Sequence, residues 1–280
     1  MVNVCLNLVL VIVFRMSVAG VAVATVASQA VSAIWILTFL TGKKTILKLQ
    51  PANMKLIPSV IFPCLGLGVS TFVMLSTESV LSISFTSSLA KYGGDVAVGA
   101  MTVLTSINQL MTMPLSGICQ GGQPLISYNY GAKNEARVKK AFRLLLITCL
   151  TYSLLLWGVI TLIPHVFVGI FTPDEELIRF ASPMLRIYLG GVGIFGIQIA
   201  CQMAFVSLGN ALCSMTVAIM RKFVLLLPLI YLMPTLMEDK TMAVYTAEPV
   251  ADVLAVVFTA ILFFFVFRKA MKKLAEKKLA

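Results

Sequence analysis

The sequence predicts an all-α polytopic membrane protein, and three observations carry that prediction. Of its 280 residues, 59% are hydrophobic and only 12% charged, against roughly 25% charged and 45–50% apolar in a soluble domain. The charges stand far enough apart to leave apolar runs of about 20 residues or more, the length of helix that crosses a hydrocarbon core about 30 Å thick. The basic residues collect at alternate ends of those runs. The runs are apolar on every face, whereas a barrel strand alternates, so helices are expected and strands are not. Disordered and collagen-like chains are excluded by composition. The net charge of +11 is dispersed between apolar runs and forms no groove-sized basic patch with interleaved aromatics, which excludes a nucleic-acid partner.

Taken in order, residues 1–14 are apolar but short for a span, and no basic residue precedes them as in a signal peptide. They read as the end of a cut helix. The 27 uncharged residues between Arg15 and Lys43 hold a first complete span at 17–40. A basic linker follows at 41–61. Runs of 22 residues (Lys55 to Glu78) and 37 residues (Asp95 to Lys133) place spans at 62–90 and 96–126, with Tyr92-Gly93-Gly94-Asp95 as the turn between them and Asp95 capping the second. Runs of 30 residues after Arg143 and 34 after Arg186 place spans at 139–163 and 178–207. Spans at 213–236 and 244–267 have only 15 residues between charges, so each takes a flanking ionisable residue into its helix. A basic tail, 268–280, ends the chain.

Seventeen bases fall on one set of junctions, including Arg221, Lys222 and the tail, against five on the other, where six acids also lie. That asymmetry puts the C-terminus in the cytoplasm. It leaves +15 on the cytoplasmic side, −1 outside and −3 within the spans.

Those three intramembrane charges are Glu78, Glu248 and Asp252. A carboxylate at the bilayer centre costs about 2.5–3.5 kcal/mol on insertion scales, so each is a functional candidate. Glu248 and Asp252, at i and i+4 around Pro249, share one helix face. Two readings stay open for the set: carriers of a proton or cation, or carboxylates held by local hydroxyls and, for Glu248, by water near the outer surface. Met101, Met111 and Met113 lie on a helix expected to kink at Pro114, and are either packing residues or adaptable ligand contacts. The six cysteines are scattered singly and read as small apolar packing residues; no zinc or disulfide spacing occurs. Gly191-Val192-Gly193-Ile194-Phe195-Gly196 satisfies a dinucleotide pattern but lies in a charge-free run, where close helix packing is the physical reading. His165, after Pro164, reads as a solvated loop end. No hydrolase, metalloprotease or P-loop signature occurs, so no enzyme, cofactor or firmly assigned metal site is expected.

Residues 117–141, GICQGGQPLISYNYGAKNEARVKKA, resemble the multidrug and toxic compound extrusion (MATE) transporters, in particular their MepA-like bacterial branch. The likeness extends through Ser76-Thr77-Glu78-Ser79, Phe171-Thr172-Pro173-Asp174, Leu208-Gly209-Asn210-Ala211 and Ala247-Glu248-Pro249-Val250-Ala251-Asp252. It implies two six-helix lobes around a cavity that opens alternately to each side of the bacterial inner membrane. The cargo would be cationic or amphipathic drug-like molecules, exchanged for H+ or Na+. In those terms, residues 1–40 match the end of the N-terminal lobe, with partial helix five and helix six, and 41–61 the inter-lobe linker. Residues 62–267 match the C-terminal six-helix lobe, and helices one to four are missing, so the chain is expected to be inactive alone. Glu78, Glu248 and Asp252 become coupling residues, and Met101, Gln109, Met113, Gln198 and Gln202 cavity candidates. Relatives with a cation site in this lobe carry an acid on the helix matching 178–207; this sequence offers Gln198 and Gln202 there. Gln120, Gln123, Pro124, Tyr128, Asn129, Tyr130 and Gly131 form a signature cytoplasmic turn, with the glutamines bonding free carbonyls at the helix end, read as a hinge or as a substrate contact. Two rivals remain: a non-transporting membrane fragment, or a lipid-linked oligosaccharide or polysaccharide flippase of related architecture. The flippase would favour a basic cavity, for which the sequence offers only Arg186 as an embedded cation.

Overall fold

The computed structural model describes residues 2–42 and 58–279, which are almost entirely helical with no strand among them. The chain divides into two compact units, Met1–Ser70 and Thr71–Ala280.

In the first, α1 (Val2–Leu8) runs into a π turn (Val9–Val13), the chain reverses at Arg15 with φ 51°, and α2 (Ser17–Thr41) follows. Asn3 donates to Ser28 Oγ at 3.0 Å across this hairpin. Gly20 allows the close approach, since a Cβ there would lie 2.8 Å from that of Met16. Expected linker residues 43–57, with Lys43, Lys44, Lys48 and Lys55, lie outside the described residues.

In the second unit the sequence-derived spans recur with corrected ends. Helix α3 (Pro58–Gly131), most of which belongs to this unit, leaves helical geometry at Gly94 (φ 65°, ψ −162°), so the turn falls where Tyr92-Gly93-Gly94-Asp95 placed it. Only glycine adopts this φ without strain. Both arms of α3 contribute to one core, with Leu81, Phe85 and Leu89 on one side and Ala97, Met101 and Leu104 on the other. Pro114, the expected kink, lies within continuous helix. Helix α4 (Glu135–Leu162) is capped by Asn134, whose side chain accepts from Arg137 N. His165 is exposed on a short helix, α5 (Pro164–Phe171), where a loop was expected; proline at the first helical position favours that helix.

The expected single span 178–207 is a broken one: α6 (Glu175–Tyr188), capped by Asp174, and α7 (Val192–Ser207) meet at 49°. Helix α8 (Ala211–Ile219), a π turn (Met220–Leu226) and α9 (Leu227–Leu236) make the next span. Helix α10 (Lys240–Leu279) runs on through the expected tail. Five helices among the described residues are long and apolar enough to cross a membrane, six with the bent pair; the break at Gly94 divides one of them again.

The glycine run packs helices as expected. A Cβ on Gly196 would collide with Ser153 Oγ and sit 2.6 Å from the Cys149 carbonyl oxygen, and one on Gly193 3.1 Å from the Trp157 ring. With lipid as solvent, such backbone approach supplies the van der Waals contact that holds helices together. Cys119 and Cys149 are buried, with their sulfurs 3.6 Å apart. Tyr245, fully buried, donates to the Ala97 carbonyl at 2.6 Å and fixes α10 against the second arm of α3.

Candidate functional site

A polar stripe runs along the second arm of α3: Thr102, Thr105, Asn108, Thr112 and Ser116, at spacings of three and four residues and therefore on one helix face. These residues line a cavity of about 830 Å³ together with Glu78, Ser82 and Phe85 of the first arm. A straight helix would hold Glu78 and Asn108 roughly 45 Å apart, so the reversal at Gly94 is what puts both on one wall. Helix α7 adds Phe195, Gln198 and Gln202, and the π turn adds Arg221 and Lys222. The same register sorts the expected cavity residues. Met101, Gln198 and Gln202 line the cavity. Gln109 and Met113 are exposed on another face of their helix and do not, because one residue past Asn108 is about 100° around the axis.

The charges form one cluster. Arg221 donates from Nε to Asp252 at 2.7 Å and from Nη2 to Glu248 at 2.8 Å, and its guanidinium lies 4.5 Å from the Phe195 ring centroid. Lys222 pairs with Glu78. The two cations were expected at a cytoplasmic junction. Instead they sit on the span Leu212–Leu236, roughly 15 Å along the helix from its start. The corrected partition is +13 at the junctions expected to be cytoplasmic and −1 within the spans: three carboxylates against two bases. Arg186, the only embedded cation expected, is exposed and donates to the Thr161 carbonyl at the end of α4.

Glu248 and Asp252 are buried, 5% and 1% exposed, which replaces the reading of a water-held helix end. Their seat is shaped by the break between α6 and α7: a Cβ on Gly191 would lie 2.6 Å from that of Asp252. Two buried acceptors, Asn108 Oδ1 and Gln198 Oε1, have no hydrogen-bond partner among the described residues, and both side chains line the cavity. No group of three or more metal-ligating side chains suited to an ion occurs among the described residues.

The signature segment lies elsewhere. Gln120, Gln123, Pro124, Tyr128, Asn129, Tyr130 and Gly131 are in the last turns of α3 and line none of this cavity. Because the helix continues past the expected end near residue 126, the carbonyls the glutamines were expected to cap are taken up within it. The turn itself is Ala132-Lys133-Asn134, closed by Ala132 N to the Tyr128 carbonyl and Asn134 N to that of Asn129, both 2.9 Å. Ser127 Oγ donates to the Ser207 carbonyl at 3.2 Å, tying the end of α3 to that of α7.

Two signals in the sequence pointed to the parts not anticipated. The hydroxyls of α3 recur at helical spacing in a charge-free run, and Arg221-Lys222 interrupts an apolar stretch that needs those residues to reach span length.

Comparison with known proteins agrees with this architecture. The MatE family model matches residues 70–232. The multidrug export protein MepA of Staphylococcus saprophyticus is 23% identical over 195 residues, covering 70% of this chain and 43% of that protein. MepA of Staphylococcus aureus is 23% identical over 199 residues, with the same coverage. The chain thus spans about half the length of the curated relatives it matches. Among solved structures, a MATE transporter in the bent conformation superposes with a TM-score of 0.81 at 17% identity, over 98% of this chain and 61% of that one. A MOP superfamily transporter from Pyrococcus furiosus, described as having a binding pocket of reverse polarity, superposes with 0.76 at 18% identity, over 97% and 61%. The chain belongs to the MatE family and is a multi-pass membrane protein.

Proposed function

We propose that this chain supplies one wall of a multidrug exporter, which expels cationic or amphipathic drug-like molecules in exchange for H+ or Na+ by alternating access. Its C-terminus faces the cytoplasm, and Glu78, Glu248 and Asp252 are the coupling carboxylates. The observation that carries this reading is the compensated charge cluster on the wall of the 830 Å³ cavity. Glu78 and Lys222 hold each other at the cavity face. A proton or Na+ on Glu78 releases Lys222, and Lys222 returning to Glu78 expels the proton or ion. Two species competing for one carboxylate cannot both be bound, which is the requirement of exchange. Cargo contacts come from the hydroxyl stripe of α3, Met101, Phe195 and the unpaired acceptors of Asn108 and Gln198. A net −1 on the cluster favours a cation over an anion at this wall.

The flippase reading gains from the same correction, because Arg221 and Lys222 give the cavity the embedded cations it was expected to lack. It also has a relative in fold whose pocket is described as reversed in polarity. Arg221, however, is already engaged by two carboxylates, which leaves little cationic capacity for a phosphate, so export of cations stands first.

Dye efflux tests the proposal, using cells that express the chain alone or joined to the N-terminal half of a MepA relative, with membrane insertion checked by fluorescence-detected size exclusion. The joined form is expected to expel ethidium under a pH gradient, and E78Q to lose that activity. The charge-neutral pair E78Q/K222Q separates the roles: if Glu78 carries coupling, efflux stays lost. Recovery in the double variant, or unchanged efflux in E78Q, makes Glu78 only a partner for Lys222 and removes it from coupling. An inserted joined form without efflux overturns the exporter reading.

A further inference from the structure

A second cavity, of about 790 Å³, opens between α4, α7 and α10, away from the charge cluster. Its lining changes character along its length, and does so on two helices of opposite direction. Along α4 the order is Glu135 and Lys139, then Phe142 and Leu146; along α10 it is Ala260, Phe263, Phe264 and Phe267, then Arg268 and Lys272. Charge therefore collects at one end and apolar surface at the other, over about 18 Å of helix rise between Ala260 and Lys272. The apolar part is built of rings: Phe142 stacks on Phe263 at 4.5 Å between centroids, and Phe263 on Phe267 at 4.9 Å. Phe264 presents 60% of its surface. At the charged end, Glu135 is occupied by Lys139 in an i,i+4 pair, whereas Arg268 and Lys272 make no ion pair among the described residues.

From this we infer that the cavity is a binding site for an anionic phospholipid, its phosphate against Arg268 and Lys272 and one acyl chain along the phenylalanine wall. The charge complementarity selects the headgroup, since basic pockets between spanning helices take acidic lipid headgroups. The wall selects a lipid over a soluble phosphate, because a free anion has no use for about two turns of aromatic surface within the hydrocarbon layer. Length agrees as well: the headgroup region and the upper acyl chain occupy a depth comparable to the 18 Å gradient. Export chemistry is not involved, so the inference stands or falls independently of the exporter reading.

Native mass spectrometry of the purified chain in detergent tests it, with phosphatidylglycerol and phosphatidylcholine of matched acyl chains and with glycerol phosphate as the headgroup alone. Phosphatidylglycerol is expected to be retained about tenfold more tightly than phosphatidylcholine. The pair R268Q/K272Q should bring the two lipids level. Phe264→Ala, at an exposed ring that does not hold the fold, should weaken both lipids alike. Equal retention of the two lipids by the unaltered chain overturns the inference. So does competition by glycerol phosphate as effective as that of phosphatidylglycerol, which would reduce the site to an anion site without a chain groove.

Discussion

Arg221 and Lys222 are neighbours in sequence, yet the two halves of the charge cluster they anchor are built differently. Arg221 reaches into a closed seat: Glu248 and Asp252 have side chains only 7% and 2% exposed, and Gly191 brings the backbone of the broken span against Asp252. Lys222 reaches toward Glu78, whose side chain is 60% exposed at the cavity face. The π turn that carries both bases lets adjacent residues serve opposite sides, and such turns recur at functional positions. A buried ion pair is costly to break because an uncompensated charge is left behind, whereas an exposed pair is worth little. The closed half is therefore a latch between the π turn and α10, and the open half is the exchangeable one.

Four substitutions break or sharpen that contrast, and thermal melting of the detergent-solubilised protein reads all of them. Arg221→Met is expected to have the largest effect, about 3–5 kcal/mol of lost stability, because two buried carboxylates lose their shared partner. A loss below about 1 kcal/mol would dissolve the distinction between the halves. Gly191→Ala comes next, at about 1–3 kcal/mol, since the added methyl meets Asp252 and the Pro249 carbonyl, 3.1 Å away, and neither has room to move. Asp174→Ala supplies a yardstick remote from the cluster: the carboxylate accepts from Glu176 N at 3.0 Å at the start of α6, and losing such a cap costs about 1 kcal/mol. Glu78→Gln should change stability least, by less than about 1 kcal/mol after allowing for solvent at the open pair, while removing efflux in the joined transporter. A melting shift as large as that of Arg221→Met would place Glu78 in the latch instead.

The signature segment shows how far a motif can be located without its geometry being known. Its residues, expected to form the turn itself, lie in the last turns of α3, and the reversal falls at Ala132-Lys133-Asn134, several residues later than expected. Gln120 and Gln123 look like caps only if the helix ends near 126; in a helix that runs to Gly131 they are ordinary interior positions. The same limit applies to Gln109 and Met113, which are polar and adaptable as a cavity residue should be, yet lie on the wrong side of their helix.

Charge spacing and apolar length determined the helical, membrane-spanning character of this chain and the approximate centre of each span, because a bilayer tolerates neither unpaired backbone nor unpaired charge. They determined as well that Gly93-Gly94 reverses the chain and that Gly191, Gly193 and Gly196 pack helices, since both follow from the absence of a Cβ. Tertiary structure alone decided which charges meet. Arg221 and Lys222 read as junction residues by the count of bases, and become partners of Glu248, Asp252 and Glu78 only when helices distant in sequence come together. Placing a charge within a span depends on a partner that no local spacing reveals.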